Sequence, residues 1–218
     1  MRPYFDPHDH AFANGPVFPR PASLADARAG FEHPEDGERL WALFELFDRR
    51  AEVGEGLRIG LNARLIAPEE AERRVRIGRD CAIRGILRCD GRGRITLGDR
   101  VYVGDDVILS AMSHVEIGAG TLLAHGTQVF DNDTHPVDAD EREAHFKAIL
   151  RIGPAVEPKI ATAPVRIGRR CWIGFCGTVM KGVAIGDEAI VGAGSVVVAD
   201  VPAGAMAAGN PARVVKAL

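Results

Sequence analysis

The sequence predicts an all-β solenoid built from hexapeptide repeats, and three observations predict it. From Ile167 to Val197 an aliphatic residue recurs every six positions, at Ile167, Ile173, Val179, Ile185, Val191 and Val197. Glycine follows four of these, at Gly168, Gly174, Gly186 and Gly192, and a small or compact side chain stands four residues after each, from Cys171 to Val201. Upstream, Ile77-Gly78, Leu97-Gly98 and Ile117-Gly118 are spaced by twenty residues, which is three hexads plus two. No helix repeats every six residues, and plain strand alternation supplies no glycine on schedule. The period describes short flat faces joined by turns and wound into a coil.

The elements follow in order. Residues 1–33 are rich in Pro, Asp and Ala and predict an irregular lead-in. Pro34 to Ala51 reads as a helix, with Glu35, Asp36 and Glu38 at its positive end, Arg49 and Arg50 at its negative end, and Gly54 to stop it. Its apolar residues, among them Leu40, Trp41, Phe44 and Phe47, make a face too wide for a solitary surface helix. Residues 1–56 are therefore expected to end in a helix that caps the solenoid edge, with docking of a partner as the other reading of that face. The solenoid itself spans 57–200. Ile59 and Leu65 open it six residues apart, and Glu69 to Arg74 is a polar insert with helical character.

Within the twenty-residue blocks the apolar position steps by six: Ile77, Ile83, Cys89 and Ile95; then Leu97, Val103, Leu109 and Val115; then Ile117, Leu123 and Val129. Each block thus has one corner enlarged by two residues. Where Ile95 and Val115 stood, the third block has His135, and the pattern resumes only at Val165 and Ile167. The segment 135–164 is an excursion extruded from that irregular corner, and long loops on repeat scaffolds commonly carry function. The tail, 201–218, holds Pro202, Gly204, Gly209, Asn210 and Pro211 and ends in Arg213-Val214-Val215-Lys216.

Composition narrows the function classes. A net charge of −3 over 218 residues offers no electrostatic case for nucleic acid or an anionic membrane, and the apolar runs are too short to span a bilayer. Met1 to Arg20 lacks the basic-then-apolar order of a secretory signal. Cys81 and Cys171 fill the small inward slot of their hexads and Cys89 an aliphatic slot, so packing explains them better than zinc or disulfides. The expected location is the cytoplasm.

The specific motifs are Thr134-His135-Pro136-Val137-Asp138, Val165-Arg166-Ile167-Gly168 leading to Cys171-Trp172-Ile173-Gly174, Gly192-Ala193-Gly194-Ser195-Val196-Val197, Asp200-Val201-Pro202, and Ala208-Gly209-Asn210-Pro211-Ala212-Arg213. In this order they cover about half the chain and resemble the hexapeptide-repeat acyltransferases, in particular the maltose, galactoside and polysaccharide O-acetyltransferases. The resemblance implies a left-handed parallel β-helix, against the usual right-handed crossover. It also implies a homotrimer with active sites between subunits, acetyl-CoA as co-substrate and no metal. His135 matches the general base. Trp172, Gly174, Ala193 and Gly194 match positions along the CoA groove, and Arg213 and Lys216 match cations near its phosphates.

The chemistry asks little of the protein. One imidazole can take the acceptor proton near neutral pH, backbone N–H groups at a coil turn can hold the oxyanion, and a groove can align two substrates. Asp133 or Asp131 is expected to orient the His135 imidazole, or else to be a loop carboxylate or Asx turn. His125 is the runner-up base or an acceptor contact. Asp131 is also a candidate acceptor contact, as are Asp138 and Arg142 in the charged loop. Trp172 also suits a trimer contact. Two departures stand out. Val198-Ala199 replaces the Thr-Lys that relatives often carry before Asp-Val-Pro. The segment ahead of the coils does not match the helical segment that shapes the acceptor pocket in the maltose and galactoside enzymes. An acceptor such as an oligosaccharide or polymer-linked sugar therefore fits better than free maltose. Two alternatives remain: N-acetylation of an amino-sugar nucleotide, and a non-catalytic or zinc-binding β-helix. His114, His125 and His135 are 11 and 10 residues apart, not one coil apart, so the spacing speaks against a stacked zinc site.

Overall fold

The computed structural model of the protein describes residues 16–67, 73–152 and 156–218. The aliphatic schedule becomes three parallel sheets wound as the sides of a triangular coil of about seven turns. Each full turn lays one short strand on face A, then one on face C, then one on face B. Face A stacks Ile83, Val103, Leu123, Ile173 and Val191 in register. Face C stacks Leu87, Leu109, Val129, Val179 and Val197. Face B stacks Ile77, Leu97, Ile117, Ile167 and Ile185. None of these side chains is more than 3 % exposed. The scheduled glycines mark where one turn passes tightly over the next: a Cβ at Gly118 would lie 2.5 Å from the carbonyl carbon of Gly168.

The passage from face C to face B is the long one in the early coils, eight residues from Leu109 to Ile117 and ten from Leu87 to Leu97. In the latter coil Ile83 reaches Leu87 in only four, so Leu87 takes the slot that the six-residue spacing assigns to Cys89, and Cys89 pairs with Ala111 instead. In those coils the face C and face B strands are four residues each, Ile86–Cys89 and Arg94–Leu97, whereas the later coils use Thr178–Val179 and Ala184–Ile185. The enlargement therefore lies at the passage from face C to face B. The excursion leaves from that same corner. Val115 pairs with Val165 and Ile117 with Ile167, so the coil closes beneath the excursion without a register shift.

The N-terminal cap is more ordered than its composition implies. Phe18–Pro19 adds an antiparallel strand to Arg58–Ile59 at the edge of face A. A short helix α1, Leu24–Ala29, is N-capped by Ser23, whose hydroxyl accepts the Asp26 N–H. Helix α2 runs from Pro34 to Arg50 and buries Leu40, Phe44 and Phe47 against the end of the solenoid. It passes directly into Ala51–Val53, which pairs with Val75–Ile77, so the coils begin ahead of residue 57. Residues 1–15 and 68–72, and with them most of the Glu69–Arg74 insert, lie outside the described residues. At the other end Ala205–Gly209 and Ala212–Ala217 form an antiparallel hairpin on face A, joined through a cis Asn210–Pro211 bond. No helix among the described residues is long and apolar enough to cross a membrane.

Carboxylates brace the corners between faces B and A. Asp99 accepts from the Arg79 backbone N–H at 2.8 Å and from its guanidinium at 2.9 Å, and Asp187 repeats the arrangement with Arg169. These bonds hold both carboxyls below their ordinary value of 3.8. A depressed carboxyl stabilises the fold above its unfolded pKa and loses that contribution as pH falls through the folded one. The urea midpoint should therefore drop as pH falls below 3.8, and Asp99→Asn with Asp187→Asn should flatten that drop. Burial raises the thiols of Cys81 and Cys171 and pushes Cys89 up to about 12. Cys176 is exposed. Native alkylation followed by peptide mass mapping should label Cys176 alone, with the other three reacting only on unfolding.

Candidate active site

The corner that carries His135 is built from the coil outward. Asp131 follows the face C strand Gln128–Phe130 and is fully buried. Its two carboxylate oxygens accept the N–H groups of Met112 at 2.8 Å and Ser113 at 2.7 Å on the coil below. Asn132 is also buried; its amide reaches the Ser110 carbonyl and Asp131, and its Oδ1 accepts the Thr134 N–H at 3.0 Å. Thr134 takes a left-handed φ of 62°, which turns the chain out of the wall. The returning strand closes the stem: Asp133 N–H donates to Ala161, and Ala163 N–H donates to the Asp131 carbonyl. His135 emerges from this stem exposed to solvent, with Pro136 buried behind it.

Several expected partners have other duties. Asp131 ties two coils together; a buried carboxylate holding two backbone N–H groups is already satisfied. Asp133 turns its carboxylate to Lys181 Nζ at 2.8 Å, away from an orienting role on the imidazole. The excursion is not a bare loop. It folds into helix α3, Ala139–Ile149, with Asp138 as N-cap accepting from Asp140 and Glu141 N–H groups. Arg142, on the first turn, donates back to the carbonyls of Pro136 and Val137. Asp138 and Arg142 thus fix α3 against the His135 corner. The ring that meets His135 is His145, with Nδ1 to Nδ1 at 3.3 Å and centroids 5.1 Å apart. The sequence reading passed over His145. The signal was present in spacing: once 138–149 is a helix, positions 138, 142 and 145 share one face.

The remaining candidates gather elsewhere. Trp172 points outward from face A, half exposed, directly above Leu122 and below Ile190. Gly174, Ala193 and Gly194 form the adjoining corner between faces A and C, where Gly194 has φ +66° and open space around the position of a Cβ. His125 stands on that corner one coil lower, its ring stacked parallel on Phe175 at 5.2 Å. Arg213 and Lys216 lie on the terminal hairpin along face A, held in strand pairing rather than in a loose tail. The corner between faces C and B is the vertex opposite face A. One chain therefore brings together His135, His145, Asp133, Asp138 and Arg142, and separately Trp172, Gly174, Ala193, Gly194 and His125. It does not bring the two groups to each other. Among the described residues no three His, Cys, Asp or Glu side chains converge as metal ligands.

A three-faced coil of hexapeptide repeats with an excursion at one corner defines a class of parallel β-helical proteins, and the comparisons with known proteins agree. Residues 164–199 match the family described as the hexapeptide repeat of succinyl-transferase. Nodulation protein L of Rhizobium leguminosarum bv. viciae is 40 % identical over 143 residues, covering 66 % of this chain and 68 % of that protein. WcaF of Escherichia coli K12, whose name assigns it provisionally to acetyl transfer in colanic acid biosynthesis, is 32 % identical over 141 residues, covering 65 % of this chain and 68 % of that one. Among solved structures, AntD, an N-acyltransferase from Bacillus cereus in complex with dTDP and 3-hydroxybutyryl-CoA, superimposes with a TM-score of 0.63 at 20 % identity, over 80 % of this chain and 87 % of that one. A maltose O-acetyltransferase from Clostridium difficile gives 0.54 at 23 % identity, over 89 % and 88 %; these two likenesses concern the fold.

The protein belongs to the hexapeptide-repeat acyltransferases, with their left-handed parallel β-helix.

The buried stem makes a stability prediction. Asp131→Asn places an amide donor against backbone donors and should lower unfolding free energy by about 2–4 kcal/mol, read from the urea midpoint at fixed protein concentration.

Proposed function

We propose that the protein transfers acetyl from acetyl-CoA to a hydroxyl of a saccharide, with His135 as general base, in a trimer whose sites lie between subunits. The observation that carries this reading is the placement of a solvent-facing histidine by a buried, fully bonded stem on the coil. A loop with no chemical task has little use for such a support. The acetyltransferase names of the relatives support acyl transfer, and WcaF's association with colanic acid supports a saccharide acceptor. A location in the cytoplasm, where acetyl-CoA is made, belongs to the same reading.

Trimer formation answers the separation of the two residue groups. Face A presents an outward apolar column of Tyr102, Leu122, Trp172, Ile190 and Met206 in register. Leu122 and Trp172 are 49 % and 51 % exposed, which marks a contact surface. Setting the corner between faces C and B of one chain against face A of its neighbour brings His135 to the groove beside Trp172. The thioester arm would pass over Ala193 and Gly194, where the open glycine lets it approach the backbone. Arg213 and Lys216 supply cations for its phosphates.

The reaction then runs directly. The acceptor hydroxyl oxygen attacks the thioester carbonyl carbon as its proton passes to His135 Nε2. The tetrahedral oxyanion collapses, the carbon–sulfur bond breaks, and the thiolate takes the proton from His135 to leave as CoA-SH. No acyl-enzyme is formed, so Cys176 and the buried thiols have no part.

The test is acetyl-CoA turnover by thiol release over a panel of oligosaccharides, free sugars and amino-sugar nucleotides, beside His135→Ala. Removal of a general base should cost about 10²- to 10⁴-fold in kcat, with acetyl-CoA binding retained. Release only with an amino-sugar nucleotide would replace O- with N-acetylation. Full activity in His135→Ala would move the base to His125.

A further inference from the structure

We infer that His145 is the positioning residue that sets the working tautomer of His135; this rests on His135 being the base. Two imidazoles meeting Nδ1 to Nδ1 at 3.3 Å can bond only if one nitrogen carries hydrogen and the other presents its lone pair. If His145 donates, the His135 hydrogen sits on Nε2 and that nitrogen cannot take a proton. If His135 donates, its Nε2 keeps a lone pair and can act as a base. An acceptor hydroxyl bonding to His135 Nε2 selects the second arrangement, in which His145 presents a lone pair at Nδ1 and carries its own hydrogen on Nε2.

The contact does more as the proton moves. When His135 takes the acceptor proton it becomes an imidazolium, and its Nδ1–H bond to neutral His145 becomes charge-assisted and stronger. That interaction grows in the transition state, where it lowers the barrier, rather than in the ground state. The carboxylate best placed in sequence for this task, Asp133, is held by Lys181. His145 is held in place by the helix itself: Asp138 caps it and Arg142 clamps its first turn to the carbonyls next to His135. A half-buried histidine on a helix with no buried core residues otherwise has no packing reason to be there.

The experiment compares His145→Leu and His145→Gln with the unmodified chain, using acetyl-CoA and the best acceptor from the panel, together with ¹⁵N NMR of the His135 side chain. Leucine fills the space without accepting a hydrogen bond; glutamine restores an acceptor oxygen without a titrating ring. Groups that hydrogen-bond the far nitrogen of a metal-ligating imidazole carry about 10- to 100-fold, and the same scale is expected for one that orients a base. His145→Leu should lose that much in kcat with KM for acetyl-CoA unchanged, and His145→Gln should recover most of it. The NMR signal of His135 should report hydrogen on Nδ1 in the unmodified protein and in His145→Gln, and shift to Nε2–H in His145→Leu. Equal kcat in all three, or a His135 tautomer indifferent to His145, overturns the inference while leaving the base intact if His135→Ala is inactive. A tautomer that follows His145 while His135→Ala stays fully active supports the contact and sinks the base.

Discussion

Vertical register is the constraint on which the rest of the molecule depends. Each coil buries its aliphatic residues only because the same positions of the coils above and below lie directly over them, and each strand has its backbone groups paired only by those neighbours. A slip of one residue would turn every inward side chain to solvent. Faces therefore cannot accept insertions, and variation is confined to corners. The corner between faces C and B is already longer in the early coils, and by different amounts, so its geometry tolerates length. It is there that some thirty residues leave the wall and return to the same register.

That tolerance would be of little use if the excursion merely hung from the wall. Its stem is locked by groups that are satisfied only in this arrangement: Asp131 across two coils, Asn132 across the turn, and Ala163 N–H closing on Asp131. The lock lies below His135, and the helix cap lies above it. A histidine between two such supports has a defined direction even though its ring is exposed. Rigidity from the coil is in this way passed to the His135 side chain, as the proposed role of a general base requires.

Reading the sequence recovered the parts that repetition writes. Apart from Leu87, which takes the slot the six-residue step gives to Cys89, the inward positions, the twenty- and eighteen-residue turns, the enlarged corner and helix α2 to within a residue follow from periodicity or from terminal charges. What periodicity does not write was harder. Asp131, Asp133 and Asp138 are equivalent as letters, yet one bridges coils, one pairs with Lys181 a full excursion away and one caps a helix. Helix α3 was read as a loop because it buries no residue, so its sequence carries no apolar stripe. With α3 missed, Asp138, Arg142 and His145 could not be placed on one side of it. The stacking of His125 on Phe175 joins adjacent turns across the excursion, and only the observed register brings them together.

The division of the candidate residues between opposite sides of the coil has a consequence for how such a site can evolve and work. A chain that held both halves on one side would need two excursions in contact, each disturbing the coil. Placing them on a corner and on the opposite face lets one rigid body present both, and in the proposed trimer a closed ring of copies would complete every site with the same contact. In that proposed assembly the apolar column on face A would serve subunit contact and the groove together, since whatever seats a neighbour there would also deliver that neighbour's histidine. Stability of the coil and completeness of the site become separable properties. Substitutions on the inward aliphatics act on the first, whereas substitutions at Leu122 or Trp172 leave the coil intact and act on the second.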